Sequence, residues 1–116
     1  MTLKEFYDTI GSDYNSALLR MGNSERILDK FVRKFPADKT AEQLFEAYAS
    51  EDYETAFRMA HTLKGLCSNL GLDKLQKLSS ELTEALRGGV ADNAPELLEK
   101  VREEHGAVIS ALEQLS

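Results

Sequence analysis

His61, Lys64 and Gly65 stand at 0, +3 and +4 in the run Ala60-His61-Thr62-Leu63-Lys64-Gly65. Imidazole ordinarily titrates at about 6.5, so near neutral pH a histidine offers an unprotonated ring nitrogen that can act as a nucleophile. A lysine three residues later on a helix reaches the same side, and its ammonium can neutralise a phosphoryl group carried on that nitrogen. The glycine one turn on has no such polar function. In an exposed helix interior it costs about 0.5–1 kcal/mol relative to alanine, and what it offers in return is clearance for an approaching surface. The three residues together suit a nucleophile presented at the surface of a helix.

Whether His61 faces outward depends on the helix that carries it. With residues at about 100° intervals, Tyr53, Ala56, Phe57, Ala60, Leu63, Cys67 and Leu70 fall in one broad apolar arc, widened by Met59 and Leu66. His61 lies outside the centre of that arc, among Glu54, Arg58, Gly65 and Ser68. Lys64 sits on the boundary, where its alkyl stem can cover apolar surface while the ammonium swings toward the imidazole.

The remaining chain also reads as helices. Thr2 with Glu5 has capping-box spacing and starts a short helix that ends near Gly11. A second short helix runs from Asp13 to Met21 and is closed by Gly22-Asn23. Asn23 is expected to cap a third, in which Ile27, Leu28, Phe31, Val32 and Phe35 recur at helical spacing until Pro36. A fourth spans about Lys39 to Ala49 and presents Leu44, Ala47 and Tyr48. Ser50 is expected to cap the long helix from Glu51 to about Leu70, which Gly71 ends or bends. Leu72, Leu75, Leu78, Leu82 and Leu86 mark the next helix, stopped by Gly88-Gly89. Asn93 with Glu96 repeats the capping-box spacing, Pro95 lies in the first turn, and the final helix continues to about Leu115. No segment alternates with period two. The expected fold is therefore all-α, an antiparallel four-helix bundle with additional short N-terminal and flanking helices. Its four members would be the last three long helices and the one before Pro36, with Lys39–Ala49 at a flank.

Composition narrows the function. The 116 residues suffice for one domain, 1–116, and 42% apolar with 29% charged residues is ordinary for a globular protein. A net charge of −6, with no block of Lys and Arg, argues against a nucleic-acid partner. No apolar run approaches the roughly 20 residues that span a bilayer, so no membrane partner is expected. The opening Met1-Thr2-Leu3-Lys4-Glu5 lacks the apolar stretch of a signal peptide, which makes a cytoplasmic protein the expectation. A bundle with its own core needs no second chain to fold, so a monomer is expected.

Other chemistry-bearing residues fit structural roles better. His105 falls in the stripe Val101, His105, Val108, Leu112 and reads as a packed histidine. The single cysteine, Cys67, lies on the apolar arc as a small hydrophobe. Neither histidine has Cys, Asp or Glu partners at metal-ligand spacing, and no intrinsic cofactor is expected. Ser79 and Ser80 lack an activating base, and the glycines form no phosphate-cradling loop.

Ala60-His61-Thr62-Leu63-Lys64-Gly65, followed by Asn69-Leu70-Gly71 and Leu75, resembles the histidine-containing phosphotransfer (HPt) domains of multistep two-component phosphorelays. The pattern from Leu78 to Leu86 and the run from about Gly11 through Phe35 extend the resemblance over nearly the whole chain. It implies that His61 accepts a phosphoryl group from an aspartyl phosphate on a response-regulator receiver domain and passes it to another receiver aspartate. It implies further that Lys64 steadies the phosphoryl oxygens, that Gly65 leaves room for the receiver, and that Gly71 permits a bend or close helix contact. Divalent metal would belong to the partner receiver, and a hybrid histidine kinase would be a further partner. Without a nucleotide loop or kinase apparatus, the protein would be a phosphocarrier and not an enzyme. The family often has a glutamate where this chain has Thr83, with Glu81 and Glu84 on either side. A non-catalytic helical adaptor or a module that only sequesters receivers is the alternative.

Overall fold

The computed structural model describes residues 1–116 and contains seven α-helices: α1 (Leu3–Thr9), α2 (Tyr14–Arg20), α3 (Glu25–Lys34), α4 (Thr40–Ala49), α5 (Tyr53–Leu70), α6 (Asp73–Ala85) and α7 (Ala94–Leu112). A 3₁₀ turn at Phe35–Ala37, holding Pro36, separates α3 from α4. Twenty-eight buried apolar residues form one hydrophobic cluster. Short connections make α4, α5, α6 and α7 antiparallel neighbours, and α5 packs extensively against both α4 and α6.

The fourth wall of the bundle differs from expectation. Thr40–Ala49 is not a flanking helix; it buries Ala41, Leu44 and Ala47 and is the principal partner of α5 on that side. The helix before Pro36 continues this wall beyond the 3₁₀ break, burying Leu28 and Val32. Ile27 and Phe31, expected on its core face, are 36% and 44% exposed. The buried column is 28, 32, 35, and its neighbours at 27 and 31 lie one residue off it, on the solvent edge.

Several caps also moved, each for a backbone reason. Asn23 is left-handed at φ 60°, so it cannot hold the extended N-cap conformation; Ser24 does, and its hydroxyl accepts from Ile27 N at 3.2 Å. Ser50 does not cap α5. It closes α4, Glu51 takes the left-handed position at φ 59°, and Asp52 becomes the cap, accepting from Thr55 N. Asn93 already has helical angles and its side chain makes no capping bond, so α7 starts on Ala94 and Pro95 alone. That helix ends at Leu112, one turn before Leu115. The capping box of Thr2 and Glu5 is formed in both directions, at 2.9 and 3.1 Å.

The N-terminal helices position the end of α5. Tyr7 is fully buried and its phenol donates to the Leu70 carbonyl at 2.6 Å; burial pushes its pKa well above the usual tyrosine range. Arg20 donates to the Ser68 carbonyl at 2.6 Å, a cation on the negative end of the helix dipole. Beyond it, Ser12 Oγ accepts from Asp73 N at 3.1 Å and so caps α6 from another element, since Leu72 has no side chain for the purpose. Gly71 at φ 70° makes the reversal: its N–H reaches Ser68 O and the Leu72 N–H reaches Cys67 O, the two bonds of a Schellman motif.

Candidate functional site

α5 buries Ala56, Ala60, Leu63, Cys67 and Leu70, the apolar arc expected of it. Leu63 is wholly buried, and truncating such a leucine costs about 2–5 kcal/mol. Turning the helix to hide His61 would expose that residue, so core packing holds the imidazole outward. His61 is exposed, Lys64 is half-buried at the core edge, and Gly65 is exposed. A Cβ built on Gly65 would meet no atom within 4 Å. The space over Gly65 is open.

Gly106, midway along α7, is equally open. An exposed helical glycine is therefore not by itself a mark of a site in this chain. Gly65 is distinguished by its place, one turn after an exposed histidine on the same face.

The flank of His61 formed by α6 carries groups that helical spacing within α5 does not reveal. Glu84 receives two hydrogen bonds from Arg87, at 2.9 and 3.0 Å. These hold its carboxyl below the usual range, and the positive charges of Arg87, Lys64 and His61 add to the depression. The Arg87 guanidinium lies over the Phe57 ring, 5.0 Å from its centroid. Phe57 is one turn before His61 on α5, so the Glu84–Arg87 pair at the end of α6 borders the histidine. Thr83, where the family often has glutamate, does not: it is fully buried and its hydroxyl donates to Ser79 O at 2.7 Å. The carboxylate at the edge of the site is thus that of the next residue.

On the other flank, α3 and the C-terminal half of α5 enclose an open cavity of about 640 Å³. Phe31, Phe35 and Leu66 supply apolar wall, with Arg20, Lys34 and Asn69 at its polar margin. The Lys34 ammonium lies 5.7 Å from the centre of the Phe31 ring. Asn69 follows His61 and Gly65 at successive four-residue steps, so the cavity opens about 12 Å along the helix from the histidine. Leu66 is half-buried here, whereas Met59 lines a shallow groove toward α4.

The remaining candidates take structural places. His105 is half-buried, with ring centroids 5.7 Å from Phe35 and 6.2 Å from Phe45, and burial lowers its pKa. Cys67 is buried and its thiol is pushed up to about 12, far from a reactive thiolate. Ser79 Oγ is buried without a partner. No cluster of three or more His, Cys, Asp or Glu could hold a metal ion. No helix is long and apolar enough to cross a membrane.

Comparison with known proteins agrees with the bundle. The family model described as Hpt domain matches residues 26–115, from the first turn of α3 to past the end of α7. No curated protein and no solved structure matches the chain. The match spans well over half the sequence and the all-helical bundle accords with it: the chain belongs to the Hpt domain family, phosphocarriers that transfer phosphoryl groups between receiver domains and lack kinase machinery.

Proposed function

We propose that His61 is the residue that carries the phosphoryl group, with the whole of 1–116 acting as one such domain. The observation that supports it is the exposed imidazole beside the open space at Gly65. A receiver's aspartyl phosphate is brought against α5, and the unprotonated ring nitrogen of His61 attacks phosphorus in line. The P–N bond forms as the acyl-phosphate P–O bond breaks, and the aspartate leaves as carboxylate. The proton on the other ring nitrogen stays there, so the product is a phosphoimidazolium whose charge offsets part of the phosphoryl group's. Reversal onto a second receiver completes the relay.

Lys64 supplies the positive charge on this side of the transfer. Divalent metal comes with the receiver, whose acidic site is the one suited to hold it; this chain has no such cluster. The receiver of a hybrid histidine kinase is the expected donor, and a cytoplasmic monomer the expected form. Docking extends from His61 across Gly65 toward Leu66 and Phe31, where apolar surface is exposed next to Lys34 and Arg20.

Incubation with a phosphorylated receiver should label the protein with phosphate that is acid-labile and base-stable. Acid-stable label would place it on a hydroxyl instead and refute the assignment. Lys64→Ala should slow transfer about five- to thirtyfold, the loss of one charge-assisted contact. Thermal unfolding should show the fold intact, and an unchanged transfer rate would remove the lysine from the site. Gly65→Leu should weaken receiver binding about tenfold or more while raising stability by about 0.5–1 kcal/mol. Gly106→Ala is the control: similar stabilisation with unaltered binding. Equal affinity of the Gly65 variant and wild type would refute the clearance role.

A further inference from the structure

Glu84 of α6 and Arg87, just past the end of that helix, border the site but have no part in the transfer described above. Glu84 and Arg87 lie three residues apart at the C-terminal end of α6 and are joined by two hydrogen bonds. Such a pair could be mere surface decoration, worth little to stability in solvent. Its placement argues otherwise. The guanidinium rests on the ring of Phe57, the residue one turn before His61 on α5. The carboxylate it holds is within electrostatic reach of both Lys64 and His61. In the unphosphorylated protein the balance is net positive: two cations, Lys64 and Arg87, face the one carboxylate beside the imidazole.

Phosphorylation upsets this balance. A phosphoryl group on His61 brings up to two negative charges and three acceptor oxygens to a site already holding a carboxylate. It repels Glu84 and competes with it for both cations. Arg87 has the longer reach and the forked donor geometry that suits phosphoryl oxygens, and the Phe57 face supports it during a change of partner. Thr83 cannot join in, because it is buried and bonded to the Ser79 carbonyl.

We propose that Glu84 and Arg87 form a charge exchange beside the phosphoacceptor, in which Arg87 leaves Glu84 to become a second cation on the phosphoryl group and Glu84 sets how readily that group departs. The proposal rests on His61 being the carrier. Arg87 favours the phosphorylated state and Glu84 opposes it, so between them they tune the equilibrium with receiver aspartate, keeping the phosphoryl group transferable in both directions.

The two roles have opposite signs, which makes them testable. Wild type, Glu84→Gln, Arg87→Gln and Arg87→Lys would be phosphorylated with phosphoramidate or a phosphorylated receiver. The label would be mapped by peptide sequencing, and the second ionisation of the phosphoryl group followed by ³¹P NMR. Removing the carboxylate should lower that ionisation by about 0.5 pH unit, and removing the guanidinium should raise it by a similar amount. The equilibrium with a receiver should move about three- to tenfold toward the phosphorylated protein in Glu84→Gln and away from it in Arg87→Gln. Arg87→Lys, which keeps the charge, should titrate close to wild type. A purely structural pair would not give shifts of opposite sign. Phosphate on His61 with the same titration and equilibrium in all four proteins would overturn the charge exchange alone. Phosphate elsewhere, or no label from either donor, would overturn the His61 assignment and the exchange with it.

Discussion

Gly71→Ala is expected to destabilise the protein by about 2–4 kcal/mol, the sum of a left-handed backbone penalty and overpacking. The position demands glycine twice over. Its φ is 70°, where a side chain crowds the carbonyl that follows. The Cβ would also stand 2.6 Å from Ala17 Cβ and 3.2 Å from Ala17 Cα, with Tyr7 Cε1 at 3.7 Å. Ala17 is itself fully buried and has no flexible end to move aside. Relief requires α2 to shift as a body, and α2 carries the Arg20 bond to Ser68 while the neighbouring α1 carries the Tyr7 bond to Leu70. The substitution therefore loosens the junction that holds α5 and α6 in register. Chemical denaturation would measure the loss, and a change below about 0.5 kcal/mol would show that Gly71 is not tightly packed against α2. The contrast is Gly65, which is open, where the same substitution should add stability. One glycine is required by packing; the other is open, and access for a receiver is the role proposed for it.

That distinction was only half legible in the sequence. Periodicity along α5 placed His61 outward and Lys64 at the core edge because one long helix carries both the apolar arc and the site, and its register is self-contained. It could not show that Gly106 is a second open helical glycine, nor that Gly71 is pinned against Ala17, a contact between residues far apart in the chain. α3 exposes the limit of periodicity in another way. Ile27 and Phe31 fit the helical repeat as well as Leu28 and Val32 do, and only the position of α4 and α5 decides which column is covered. The caps at Ser24 and Asp52 were missed by one or two residues because Asn23 and Glu51 adopt left-handed angles that close the preceding helix. Glu84 and Arg87 were invisible as neighbours of His61, since their relation to it depends on how α6 lies along α5. The remaining signal was a Glu-x-x-Arg pair at the end of a helix, too common to read alone.

The second large effect is at the histidine. His61→Gln should leave the bundle intact, because the side chain is exposed and no core contact depends on it. Surface replacements of this kind alter stability by about 0.5 kcal/mol or less. Transfer should nevertheless vanish. Glutamine has no ring nitrogen with a free lone pair, and its amide can neither attack an acyl phosphate nor hold a phosphoryl group. The surrounding charges can steady a phosphoryl group but cannot covalently accept one.

The decisive measurement is therefore phosphotransfer from a labelled receiver to wild type and to His61→Gln, with both shown folded by circular dichroism. The account predicts rapid, acid-labile labelling of the wild type and none of the variant. Undiminished labelling of the variant would contradict it, placing the phosphoryl group on another residue and leaving the outward imidazole without its role.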